Sequence, residues 1–204
     1  GAGLTGSFGT MAKPFHAGKA AMNGVLAAEL AKEGFEAAQS LIEPEGGFGQ
    51  AFIQDGATRP KLLDFDGSME ITRNTLKPYA SCLLTHPVID AARALAKTVS
   101  ADDIAKIVVD VTPTCIQLAG KPQPQTGLEG KFSTAYCTAL GLTGHMVTAI
   151  DFAENRVADP AIRNLVDKVT LNPIPDMKMT AAKLTLHLDD GSEIEHDTPL
   201  ALGN

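Results

Sequence analysis

The sequence predicts an α+β fold, in which a helical segment is followed by helices layered on a mainly antiparallel sheet. Three observations point there. Residues 14–34 read as one long amphipathic helix, with Met22, Val25, Leu26 and Leu30 on a stripe and Ala17, Ala20, Ala21, Ala28 and Ala31 around it. From about Ile71 onward, helix-period and strand-period stretches follow one another in mixed order, unlike the strict alternation of a doubly wound sheet. The last two of them, 183–188 and 193–196, are joined by Asp190-Gly191, which signals a hairpin.

Taken in order, the first helix ends at Gly34. Its alanine-rich surface suits close approach by another helix, so it is expected in a helical array whose other members lie outside this chain. Alone, such a helix predicts self-association or an exposed apolar face. A short helix is expected at 37–42, and the glycine-rich GGFGQAF from Gly46 leads into a turn of helix or a loop. Residues 59–67 have no clear period, and a boundary between Phe65 and Thr75 divides the chain into domains 1–68 and 69–204. In the second domain 83–97 is helical, with Leu84, Val88, Ala91, Ala92 and Leu95 on one side and a start near His86 and Pro87. The β-branched run IAKIVVDV at 104–111 reads as a strand. Residues 128–142 read as a helix ended by Gly144, and Asp159 caps a helix over 160–167. Strands at 169–171 and 183–188 follow, the latter turning Leu184, Leu186 and Leu188 inward.

Composition narrows the functional classes. The 204 residues are 44% hydrophobic and 20% charged, enough apolar material for one or two cores. A net charge of -7 argues against nucleic acid or an anionic membrane surface as partner, because both need a basic field. Cys82, Cys115 and Cys137 are odd in number and lack CxxC spacing, so a reducing, cytoplasmic setting is expected rather than a disulfide framework or a zinc site. No apolar run reaches the roughly 18 residues of a spanning helix. The start GAGLTG lacks a methionine, which suggests that something upstream has been removed.

The most suggestive stretch for chemistry is GSFGTMAKPFHAG at 6–18, a glycine-punctuated turn entering a helix with Lys13, Pro14 and His16 in its first turn. Helix-start amides attract anions, and a lysine and a histidine beside them add a charge and a titratable group. A small carboxylate or phosphate is the natural guest. The plainer reading is a solvated first turn with Pro14 at its favoured position.

Four segments in this order, GTMAKPFHAGKAAMNGVLAAELAKEGF, GGFGQAF, LKPYASCLLTHPVIDAA and GKFSTAYCTALGL, resemble the MmgE/PrpD family. The resemblance implies a cofactor-independent enzyme acting on a small polycarboxylate, built as a homodimer from an all-helical domain and an α+β lid over a shared cleft. It further implies that this chain holds the C-terminal part of the helical domain followed by the lid, and little or no turnover is expected from these 204 residues alone. Lys13 and His16 match the family's TKPLHAG-type turn, where the lysine lines the substrate cleft and His16 supports it or the helix start. Lys77 in KPYASC is implied to form a second cationic wall. His86, at the start of the next helix, is a candidate acid or base, with local helix-start contacts as the alternative. Tyr136 matches a lid-helix tyrosine facing the cleft, although a helix tyrosine is as often a core-edge residue. Lys131 opens the same helix region as a candidate third cation, with a solvated lysine as the plainer reading. Cys82 stands where the decarboxylase branch is implied to carry a histidine, which weakens that branch, and it reads as a buried thiol.

The chemistry implied is proton abstraction next to a carboxylate, with lysines stabilising the enolate-like centre in place of a metal. Loss of water, as in 2-methylcitrate dehydratases, is the first reading. Epimerisation and cis-aconitate-type decarboxylation are alternatives, and a non-catalytic carboxylate-binding module is a reading from another class. His145, His187 and His196 show no metal-ligand spacing, and no metal or cofactor is expected.

Overall fold

The computed structural model describes residues 3–42, 46–53 and 69–203. The aperiodic stretch at 59–67 lies outside the described residues, as does part of the interval in which the sequence places a domain boundary. Two compact units form, one from Gly1–Ala17 with Thr75–Asn204 and the other from Gly18–Asn74.

The long helix α1 spans Ala12–Lys32 and buries none of its residues. Its stripe residues Met22, Val25, Leu26 and Leu30 are all exposed. Residues 37–42 do not form the expected helix. The carbonyls of Leu41 and Ile42 instead accept from the Phe48 and Gly49 amides, tying this segment to the start of the short helix α2, Phe48–Phe52.

The other unit is α+β. Helices α3 (His86–Leu95), α4 (Pro113–Ala119), α5 (Gly127–Gly130), α6 (Thr134–Leu142), α7 (Glu154–Val157) and α8 (Pro160–Lys168) accompany four strands: β1 (Ile104–Val111), β2 (Val169–Pro173), β3 (Ala182–Leu188) and β4 (Glu193–Thr198). The strands lie in the order β2-β1-β3-β4. β1 runs parallel to β2 and antiparallel to β3, which is antiparallel to β4, so the sheet is mixed with antiparallel pairings in the majority. Ile107 faces both Val169 and Leu186 across the ladder, and Val109 faces Leu171 and Leu184. Those β1 residues with Leu184 and Leu186 meet Val88, Ile89, Leu140, Ile162 and Leu165 in one buried core. Gly141 lets α6 approach α3 closely, since a Cβ there would lie 2.6 Å from that of Ala92. This contact packs the middle of α3, the helix that His86 opens, against α6.

Two departures bear on the site. The helix expected over 128–142 is broken into α5 and α6, because Ser133 caps α6 by accepting from the Tyr136 amide (3.2 Å) and donates to the Lys121 carbonyl (2.6 Å). The helix α4 has no counterpart in the sequence reading, although Pro113 at its first turn is a start signal. No helix among the described residues is long and apolar enough to cross a membrane.

Candidate active site

The turn before α1 is built by close packing. Gly9 is buried at φ +81°, and a Cβ there would lie 2.6 Å from the Lys121 Cε and 3.4 Å from the Glu129 Cα, so only glycine fits without displacement. Phe8 next to it packs against Phe132 with ring centroids 5.0 Å apart. The Lys13 Nζ sits 5.5 Å from the Phe8 centroid and 5.7 Å from that of Phe132, so the aromatic pair holds the ammonium by cation–π attraction. The helix-start amides are less available than the sequence suggests. Thr10 takes the Ala12 amide on its hydroxyl and the Lys13 amide on its carbonyl, each at 3.3 Å.

Lys77 enters from the segment before α3, its Nζ donating to the Ser81 carbonyl at 3.3 Å. Ser81 and Thr85 share a hydroxyl–hydroxyl bond of 2.8 Å, and Thr85 donates to the Cys82 carbonyl at 2.8 Å. The Cys82 amide in turn donates to the Lys131 carbonyl at 2.9 Å, fastening this segment to the end of α5. Together with the turn before α1 they border an open cavity of about 510 Å³. Lys13, Lys77 and Lys131 line it with Thr10, Ser81 and Cys82, over an apolar floor that includes Phe8, Leu83 and Phe132. No carboxylate among the described residues lines it. In a chain of net charge -7, this is a local cationic surface of the size of a small-ligand pocket.

The other sequence candidates lie elsewhere. His16 bonds to the Ser7 hydroxyl through Nε2 at 3.3 Å and fills the space beside Gly3, outside the cavity lining. His86 is fully buried, lines no part of the cavity, and leaves both ring nitrogens unpaired. Burial holds its pKa below the ordinary imidazole value, and the Lys77 ammonium pushes the same way against weaker opposing effects of the Ser81 backbone and Asp90. The imidazole is therefore neutral near pH 7. Tyr136 is also fully buried, its hydroxyl donating to the Asp151 backbone carbonyl at 2.7 Å, and burial raises its pKa. The lid-helix position does not bring that hydroxyl to the cavity. Two residues move the opposite way. Cys82 is half-buried in the cavity wall rather than a core thiol, and Lys131 lines the cavity, its Nζ 5.6 Å from the Phe152 ring. The signal for Lys131 was the pair of glycines and Ser133 around it, which break the helix there. Among the described residues, no group of His, Cys, Asp or Glu is arranged to hold a metal ion.

The α+β unit thus carries a lysine-walled cavity whose charge suits an anion. Residues 79–204 match the MmgE/PrpD C-terminal domain and residues 1–61 the MmgE/PrpD N-terminal domain, so the chain belongs to the MmgE/PrpD family. Its curated relatives include cis-aconitate decarboxylases. The Homo sapiens protein is 28% identical over 195 residues, covering 90% of this chain and 40% of that protein. The Mus musculus protein is 29% identical over 177 residues, covering 82% and 36%. One from Aspergillus terreus is 25% identical over 224 residues, covering 98% and 46%. The chain thus spans less than half the length of these relatives.

Proposed function

We propose that the chain supplies the cationic wall of a lyase acting on a small polycarboxylate, without a metal or organic cofactor. The observation that carries this reading is the cavity lined by Lys13, Lys77 and Lys131 and by no described carboxylate. Loss of a proton from a carbon next to a carboxylate puts a second negative charge on that group. Ammonium groups already placed around the cavity stabilise the charge with little reorganisation. Lys77 is assigned to binding a substrate carboxylate and Lys13 to the carboxylate on which charge develops. The lining supplies cations and proton donors, so the base is assigned to no described residue, and His86, Tyr136 and His16 receive no step.

The reaction proposed is dehydration of the 2-methylcitrate type: the C–H electron pair forms the new double bond as the neighbouring C–O bond breaks, and the departing hydroxide takes a proton to leave as water. Cys82 supports this over decarboxylation, because a thiol carries protons less readily near neutral pH than an imidazole. Decarboxylation of an unsaturated tricarboxylate is the second reading, favoured by the names of the curated relatives. A cytoplasmic homodimer belongs to the same proposal, and the three free cysteines agree with a reducing setting.

The test offers 2-methylcitrate, citrate and cis-aconitate to the purified protein, at the length of its relatives, and follows alkene absorbance and carbon dioxide release. Alkene formation that falls at least about a hundredfold in both Lys13→Ala and Lys77→Ala is the expected outcome. Carbon dioxide release selects the second reading. Binding without either product points to epimerisation, and no binding of any of the three rules out the polycarboxylate site.

A further inference from the structure

Lys77 is exposed and carried by an irregular segment, so its direction depends on what clamps that segment. One side of the clamp is Tyr79. It is almost fully buried, donates its hydroxyl to the Asp90 Oδ1, and is covered by the Arg93 guanidinium 5.9 Å from its ring centroid. The other side is the segment that follows β4. Ala201 is buried there, with its amide donating to the Thr180 carbonyl at 2.9 Å. The Leu202 amide donates to the Asp90 Oδ2 at 2.7 Å. Gly203, at φ +85°, packs so closely on the residues flanking Lys77 that a Cβ would lie 2.8 Å from the Leu76 carbonyl and 3.1 Å from the Pro78 ring. A single carboxylate on α3 thus holds both Tyr79 and the strap at 201–203, and the strap lies against Leu76 and Pro78.

We infer that Asp90 and the strap at 201–203 are a positioning device for Lys77, setting the direction from which its ammonium enters the cavity. The inference rests on the reading of Lys77 as a carboxylate-binding residue. Hydrogen bonds to an ionised carboxylate are the strong, directional ones, and a lysine stem by itself has many rotamers to choose from. The strap touches the backbone around Lys77 rather than the ammonium, and because Ala80–Leu83 beyond Tyr79 also line the cavity, a Lys77→Ala background separates an effect carried by Lys77 from one carried by that segment.

The experiment compares Leu202→Pro, which removes the donated amide, with Leu202→Ala, which keeps it and changes only an exposed side chain. Asp90→Asn is the second variant, in case Leu202→Pro does not fold. Two readouts are taken on the purified protein: the NMR signals of the Lys77 and Lys13 side chains, and citrate affinity by calorimetry. Leu202→Pro and Asp90→Asn are expected to shift the Lys77 signal, leave that of Lys13 in place and weaken citrate about tenfold. Leu202→Ala changes neither, and in a Lys77→Ala background Leu202→Pro has no further effect on citrate. An unmoved Lys77 signal, or a citrate loss that persists in the Lys77→Ala background, overturns the inference. If Lys77→Ala alone leaves citrate affinity intact, the polycarboxylate reading fails instead, while the Lys77 signal still decides whether the strap positions that side chain.

Discussion

Lys13, Lys77 and Lys131 are fastened by three different contacts: an aromatic pair, a backbone carbonyl and the ring of Phe152. None of these contacts is a carboxylate, so each ammonium keeps its charge available to a ligand. Tyr136 shows the opposite economy. Its hydroxyl is already committed to the Asp151 carbonyl inside the core, where an unpaired acceptor is costly. Tyr136→Phe is expected to destabilise the fold by about 1–2 kcal/mol, lowering the thermal midpoint by a few degrees, and to leave citrate affinity unchanged. A melt and a calorimetric titration on the same variant check both halves; lost affinity at unchanged stability would return Tyr136 to the site. The segments that bring Lys13 and Lys77 to the cavity were legible in the sequence, because glycine and proline punctuation, together with the family resemblance, marked them. The direction of Tyr136 was not legible. Every residue of α6 is buried, so no polar stripe distinguishes a cleft-facing side from a core-facing one.

At the scale of elements, strands were read more securely than helices. The alternation of Leu184 and Leu186 sets the inward face of β3, and the β-branched run of β1 needs no partner to declare itself. The parallel pairing of β1 with β2 was hidden, because β2 is five residues long and parallel partners are chosen by the helices between them. The break between α5 and α6 was hidden for a different reason. The apolar period runs on through it and masks the signal of Gly127, Gly130 and Ser133, which tertiary contacts then turn into a cap for a new helix. Gly127 belongs to the same arrangement, since a Cβ there would overlap the Phe152 carbonyl at 1.7 Å. The break is what turns Lys131 to the cavity. Ser133→Ala removes the α6 cap and the bond to the Lys121 carbonyl together, and is expected to cost about 1–2 kcal/mol. Because it also frees the Lys131 turn, citrate affinity should fall with it, whereas Tyr136→Phe leaves affinity alone. A Ser133→Ala protein that loses stability but binds citrate normally would show that the cap does not hold the cavity wall.

Over the whole molecule, the buried titratable groups confine stability to a window of pH. Burial pushes the Cys115 thiol from 9.0 up to about 11 and the Cys137 thiol up to about 12. In the unfolded chain both ionise near their ordinary values, so the folded state holds protons that the unfolded state gives up as pH rises past 9. Their contribution is fully present below that point and is lost as pH climbs toward 11 and 12. On the acid side the sign is reversed for His86, whose pKa is lowered. Above the ordinary imidazole value of 6.5 the ring is neutral in both states and adds no pH dependence. Below that value the unfolded chain takes up a proton that the buried ring refuses, and stability falls with pH. Urea midpoints measured from pH 5 to 10.5 should therefore form a plateau that bends down at both ends, with each thiol contributing at most about 1.4 kcal/mol per pH unit on the alkaline arm. Cys137→Ala should lower the plateau through the cavity it leaves and make the alkaline arm shallower. An alkaline arm of unchanged slope in that variant would mean that Cys137 ionises in the folded protein as readily as in the unfolded chain, and would overturn the prediction drawn from its burial.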